Sequence, residues 1–130
     1  MRLLLDTQIA IYFVSEPERI ELACYELIIA SAGKVFVSAV SICEIAIKFP
    51  LERMRGAMPF SSQTAIEAFA AAGFEMLDIT PAHAAAVETL PPIHADPFDR
   101  LLVAQALTEP MRLVTADRTV SRYSDIVILG

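Results

Sequence analysis

Glycine is scarce in this chain of 130 residues, with Gly33, Gly56, Gly73 and Gly130 making up the whole complement. So few, so dispersed, cannot form the G-x-G-x-x-G turn of a dinucleotide site, a G-x-x-x-x-G-K-[ST] phosphate loop or a G-x-S-x-G nucleophile elbow. Kinase, Rossmann oxidoreductase and nucleophilic-serine chemistries are therefore excluded. Cysteine is nearly absent too: Cys24 and Cys43 both fall in helix-like patterns and are expected as free, buried thiols in a reducing cytosol. No Cys/His spacing suggests zinc. No charge-free apolar run reaches the roughly 18 residues of a membrane span. Asp6 interrupts the apolar opening MRLLLD, which argues against a secretory signal. A cytoplasmic protein without membrane contact is expected.

Apolar residues, by contrast, are plentiful. They make up 55% of the chain, and the mean hydropathy of +0.53 leaves room for an apolar surface that meets a partner. The length suits a single domain over 1–130. Sixteen acids against ten bases give a net charge of −6, which by itself opposes a sequence-independent grip on nucleic acid. It does not oppose an enzyme that holds phosphate through divalent cations, because such a site needs clustered acids. The placement of the acids therefore matters more than their sum.

Strand-like and helix-like segments alternate throughout. RLLL, KVFVS, FEMLDIT, MRLVTAD and IVIL read as strands, and TQIAIYFV as a short helix. Ser15, with Glu18 three residues on, reads as a capping box for the helix carrying Ile20, Ala23, Cys24, Leu27 and Ile28, which Gly33 ends. Ser41–Phe49 is a predicted helix with Ile42, Ile45, Ala46 and Phe49 inward and Pro50 as its stop. An alanine-rich helix spans Ser62–Gly73. Thr80 caps another that has Pro81 at its first position, and Pro97–Glu109 is a third. This alternation predicts an α/β fold: a parallel sheet with helices on both faces. Ligands of such sheets lie beyond the carboxyl ends of the strands. The acids just past strands, or at the mouths of the following helices, are Asp6, Glu44, Asp96, Asp99 and Asp117.

Each acid has a structural reading beside the functional one. Asp6 can cap the helix after it, yet it follows three leucines of a central strand, where an uncompensated carboxylate is costly. Glu44 has capping-box spacing to Ser41 and a favourable i,i+4 partner in Lys48, and by that motif alone it is structural. Asp96 before Pro97 is an ordinary cap. Asp99, in the first turn, is welcome to the helix dipole, but one cap suffices, which makes it the better ligand candidate. Asp117 suits a turn, and Thr115 beside it is either a strand residue or a hydrogen-bond partner for a ligated water. His83 and His94 read as cap or loop residues. Like charges gathered on one rim repel, and a cation is the usual remedy. Oxygen ligands without Cys or His point to Mg²⁺ or Mn²⁺.

Taken together, LLLDTQIAIYF, SAVSICEIAIK, DPFDRLLVAQA and LVTADRTVSRY resemble the PIN domain, and more narrowly the VapC toxins of bacterial type II toxin–antitoxin pairs. The resemblance covers nearly the whole chain. It implies a three-layer α/β/α sandwich around a mostly parallel sheet and a metal-dependent endoribonuclease. The family's acidic quartet falls on Asp6, Glu44, Asp99 and Asp117, with Asp96 accessory and with Thr7 and Thr115 as its small hydroxyl neighbours. Asp6, Asp99 and Asp117 are the expected metal ligands. Gln8 stands where many relatives have histidine.

The activity expected is hydrolysis of RNA phosphodiester bonds. Arg100, Arg118 and Arg122 are expected near backbone phosphates, and Lys48, Arg53 and Arg55 as a basic lip for RNA. An antitoxin partner is implied, laying an amphipathic segment in an apolar groove, together with a homodimer. Two other classes remain as alternatives: a receiver-like signalling domain and a catalytically inert interaction module.

Overall fold

The computed structural model describes residues 1–52, 56 and 58–130. Arg53 and Arg55 lie outside the described residues. Five short strands form one parallel sheet: β1 (Leu3–Leu5), β2 (Val35–Ser38), β3 (Glu75–Leu77), β4 (Arg112–Thr115) and β5 (Val127–Leu129). Their order is β3-β2-β1-β4-β5, with every pairing parallel. β1 is central, and Leu4 faces Phe36 on one side and Leu113 on the other.

Side-chain alternation along the strands sorts the interior into two layers. Leu3, Leu5, Val35, Val37 and Val114 point to one face. There they meet Ile9 and Ala10 of α1 (Thr7–Ser15), Cys24 and Ile28 of α2 (Leu22–Ala30), and Phe69 of α4 (Ser62–Ala71). Leu4 and Leu113 point to the other face, against Leu102, Val103 and Ala106 of α6 (Pro97–Thr108) and Val120 of α7 (Arg118–Ser121). α3 (Ala39–Glu52) sends Val40 into the second layer and Ile45 into the first. α5 (Pro81–Ala86) packs on α6. The result is the expected three-layer α/β/α arrangement, with the three leucines of β1 wholly buried at its centre.

Several local expectations need correction. Ser15 does not cap a following helix. Its hydroxyl donates to the Ile11 carbonyl at 2.6 Å, inside the last turn of α1, and a single 3-10 turn at Pro17–Arg19 intervenes before α2. Pro50 does not stop α3, which continues to Glu52. A proline so near a helix end forfeits one bond, to the Ala46 carbonyl, and Ala46 is exposed rather than inward, so water can serve that carbonyl. Cys43 is exposed, while Cys24 is buried as expected. The Ser41–Glu44 box does not form because α3 starts earlier, at Ala39, where the Ser38 hydroxyl accepts the Val40 amide at 2.9 Å. Ser41 instead accepts a hydrogen bond from Thr7 at 2.9 Å, joining α3 to α1. The Thr80 cap holds as expected and is completed by His83, whose Nδ1 accepts the Thr80 amide at 3.0 Å.

The central strand gives a direct test of this packing. Leu4→Ala should cost about 2–5 kcal/mol of unfolding free energy, because neighbours on both sides of a fully buried strand cannot collapse into the space. Urea denaturation measures it, and a loss below about 1 kcal/mol would contradict the packing described.

Candidate active site

The strand order places a switch point at β1. The chain runs outward from β1 through β2 to β3, then returns to add β4 on the opposite side. Such a reversal opens a crevice at the carboxyl ends of the two inner strands. Asp6 follows β1 directly, and Asp117 follows β4 after Ala116. Glu44 reaches the same crevice from α3, and Asp96 and Asp99 from the start of α6. All five acids line one open cleft, together with Thr7, Gln8 and Lys48.

Helix starts explain how so many carboxylates tolerate one place. Asp6 is the N-cap of α1, its Oδ1 accepting the Ile9 amide at 2.8 Å. Asp96 caps α6, accepting the amides of Phe98 at 2.9 Å and Asp99 at 3.3 Å. Asp117 caps the short α7 through the Thr119 amide at 2.8 Å. Unpaired amides at a helix start favour negative charge. Capping and clustering are thus one arrangement here, and the two readings of these acids do not compete.

The remaining members are held by side chains. Glu44, only 9% exposed, receives Lys48 Nζ at 2.6 Å. Burial would depress the lysine, but the hydrogen bond and charge of Glu44 outweigh it and hold its pKa above the ordinary value. Thr115 ties two acids together: its hydroxyl donates to Asp6 Oδ2 and accepts the Asp117 amide at 3.1 Å. Its one proton and one of its two lone pairs are thus spent within the chain. Thr7 is buried at the cleft and spends its own hydroxyl on Ser41.

Burial dominates the electrostatics. Asp6 is 7% exposed, and desolvation pushes its pKa up to about 7; hydrogen bonds from Thr115 and Ile9 pull the other way, while the charges of Asp99 and Glu44 add to the rise. Asp99 is pushed up to about 6, first by burial and then by Asp96, with His94 opposing. Among the described residues, two carboxyls that bind protons so readily lack a full countercharge.

His94 is the participant that sequence reasoning left among the loop residues. Its Nε2 lies 3.3 Å from Asp99 Oδ2. His94, Asp99 and Asp117 each offer a ligand atom, all within 4.8 Å of one another. Only its closeness to Asp99 along the chain hinted at this. The cleft is carboxylate-rich, with one imidazole touching Asp99. That chemistry fits a divalent cation. His83, by contrast, is buried in its capping role, with Nε2 at 2.5 Å from Glu109.

Of the expected phosphate contacts, Arg100 has another task. Its Nη1 donates to the Pro91 carbonyl at 3.0 Å and to the Tyr123 hydroxyl at 3.1 Å, and Nη2 to the Val87 carbonyl at 3.3 Å. It pins the loop before α6. Arg118 and Arg122 are exposed. Among the described residues, Lys48 is the basic side chain that lines the cleft.

A crevice of acids at the switch point of a five-stranded parallel sheet defines an α/β protein built around a carboxylate centre. Residues 3–126 match the PIN domain, and the chain belongs to that family. It is 36% identical to Ribonuclease VapC22 of Mycobacterium tuberculosis over 123 residues, covering 92% of this chain and 90% of the relative. Among solved structures the fold is similar to a chain of VapBC2 from Rickettsia felis bound to a DNA fragment from their promoter, with a TM-score of 0.71, 17% identity, and coverage of 100% and 98% of the two chains. A chain of DNA-bound VapBC from Salmonella typhimurium matches with a TM-score of 0.69 and 15% identity, covering 100% and 97%. Membership of this family sets aside the receiver-like alternative.

The raised carboxyls make stability depend on pH in a defined direction. Folded Asp6 holds its proton up to about 7, against an ordinary value of 3.8, so the stability contributed by the protonated form is complete at low pH and lost as pH rises through about 7. The loss is on the order of 4 kcal/mol for this group, and Asp99 adds to it in the same direction. In EDTA, the melting temperature should therefore fall between about pH 4 and pH 8. Asp6→Asn, which can still cap, should flatten the profile and exceed the wild type at the alkaline end. A divalent cation should stabilise the wild type more than the variant. A flat wild-type profile in scanning calorimetry would contradict this.

Proposed function

We propose that this protein is a metal-dependent endoribonuclease, the toxin of a type II toxin–antitoxin pair, which hydrolyses RNA phosphodiester bonds. The observation that carries the reading is the convergence of Asp6, Glu44, Asp96, Asp99 and Asp117 on one cleft at the carboxyl edge of the sheet. The relative named Ribonuclease VapC22 supports the choice of RNA, and the VapBC complexes among similar folds support an antitoxin partner.

Asp6, Asp99 and Asp117 would hold one or two Mg²⁺ or Mn²⁺ ions, with Glu44 completing the set or positioning the attacking water. The bound cation supplies a water of lowered pKa and a countercharge for the phosphorane-like transition state. The chain's own residues prepare the cleft. Asp6 and Asp99 give up the protons that burial makes them favour, so cation binding releases protons near neutral pH. Thr115 holds the orientation of Asp6, and the Thr7–Ser41 bond keeps α1 and α3, hence Asp6 and Glu44, at a fixed spacing. Lys48 neutralises Glu44 and stands at the cleft as a contact for a backbone phosphate of RNA, with exposed Arg118 as a second.

Antitoxin binding has suitable surfaces. One apolar cleft is lined by Ile42, Ala46, Ile66, Ala70, Phe74 and Met76, and a second by Pro17, Ile20, Leu22 and Tyr25. Either accommodates an amphipathic segment, and an arginine of that segment is the natural visitor to the acidic cleft. A homodimer and a cytoplasmic location complete the proposal. No helix among the described residues is long and apolar enough to cross a membrane.

Cleavage of RNA by purified protein with Mg²⁺ or Mn²⁺ tests the reading. Asp99→Asn should lower the rate at least ~100-fold, since a missing ligand forfeits several kcal/mol of transition-state stabilisation. Undiminished cleavage by the variant, with contaminating nuclease excluded, would defeat the assignment of Asp99, and none by the wild type freed of antitoxin would return the chain to the inert-module alternative.

A further inference from the structure

The loop that leads into α6 carries His94 between two partners. Nε2 lies 3.3 Å from Asp99 Oδ2, and Nδ1 lies 3.0 Å from the Tyr123 hydroxyl. The proton inventory of that phenol settles which nitrogen of the neutral ring is protonated. The Tyr123 oxygen already receives the His94 backbone amide at 3.2 Å and Arg100 Nη1 at 3.1 Å. An amide N–H and a guanidinium can only donate, and they occupy the two lone pairs of the oxygen. The single phenol proton is left to give, and Nδ1 at 3.0 Å is better placed than the His94 carbonyl at 3.4 Å. Nδ1 therefore accepts, and the neutral imidazole carries its proton on Nε2, directed at Asp99.

We propose that His94 is a positioning residue for Asp99, its tautomer set by Tyr123. The Nε2–H bond holds one carboxylate oxygen and leaves the other to the cleft shared with Asp6 and Asp117. Arg100 makes the arrangement rigid by fastening Tyr123, Pro91 and Val87 together, so the loop bearing His94 cannot swing away. The rival role, Nε2 as a metal ligand beside Asp99 and Asp117, would move the ring proton to Nδ1. There it would meet an oxygen that two other donors already fill. The proposal rests on the nuclease reading for its purpose, but the hydrogen bond itself does not.

Nitrogen-15 side-chain NMR of the whole metal-free protein, at about pH 8 where an ordinary imidazole is neutral, reads the tautomer directly. The His94 signals are those lost in His94→Gln. The Nε2–H form is expected, and the Nδ1–H form would overturn the proposal. Titration calorimetry with Mn²⁺ alone reads the consequence. His94→Ala and Tyr123→Phe should weaken binding about tenfold or more, in the range found when outer partners of metal ligands are removed. His94→Gln, whose amide N–H can replace Nε2–H, should restore most of it, whereas His94→Asn, which is too short, should not. If glutamine is as poor as alanine while the protein remains folded by circular dichroism, the ring is a ligand and the positioning role is wrong. A wild type that binds no Mn²⁺ would strike down the nuclease reading and the purpose proposed for His94. The tautomer measurement would still decide the hydrogen bond.

Discussion

Everything at the centre of this molecule follows from gathering carboxylates where water is scarce. β1 is three buried leucines followed at once by Asp6, so the chain passes from its most apolar point to its most polar one in a single residue. A carboxylate there needs partners, since leaving it unpaired is costly. The fold supplies neutral ones in quantity: amides at the starts of α1, α6 and α7, and the hydroxyl of Thr115. Among the described residues lining the cleft it supplies one lysine, Lys48, and that lysine is paired with Glu44. Asp6 and Asp99 are left to relieve the repulsion by holding protons. The parallel sheet, its order and the helix starts can be understood as scaffolding for this strained collection.

Much of this was legible before any coordinates. Short buried strands appear as RLLL and KVFVS; Asp6 follows the first at once and Glu44 lies in the helix after the second, so their common rim could be read from topology. What escaped were matters of tertiary partnership. Ser41 looks like a cap in sequence, yet α3 starts earlier and the hydroxyl turns to Thr7. Arg100 sits beside Asp99 in the chain but reaches backward to Pro91 and Val87. His94 lies in a proline-flanked loop with no periodicity to aim it, and only the distant Tyr123 reveals its direction. Propensity likewise misjudged Pro50, whose missing N–H matters little at the exposed end of a helix.

The apolar excess of the composition is found on the outside as well as in the core. Leu22, Ile29, Ile47 and Leu51 are each at least half exposed. Two of them, Ile47 and Leu51, lie on α3, the helix that also carries Glu44 and Lys48 into the cleft. A partner that covered this helix would bear directly on the element positioning those two side chains. Surface and centre are thus mechanically adjacent.

Thr115 brings a different consequence. It is uncharged, and yet its hydroxyl is shared between Asp6 and the backbone of Asp117. Exchanging it for valine would preserve shape while withdrawing the one side-chain donor that Asp6 has among the described residues. The acidity of the whole centre can therefore drift through mutation at a residue that carries no charge of its own. Evolution can retune such a cluster from its silent neighbours, and an inventory of acids alone would not register the change.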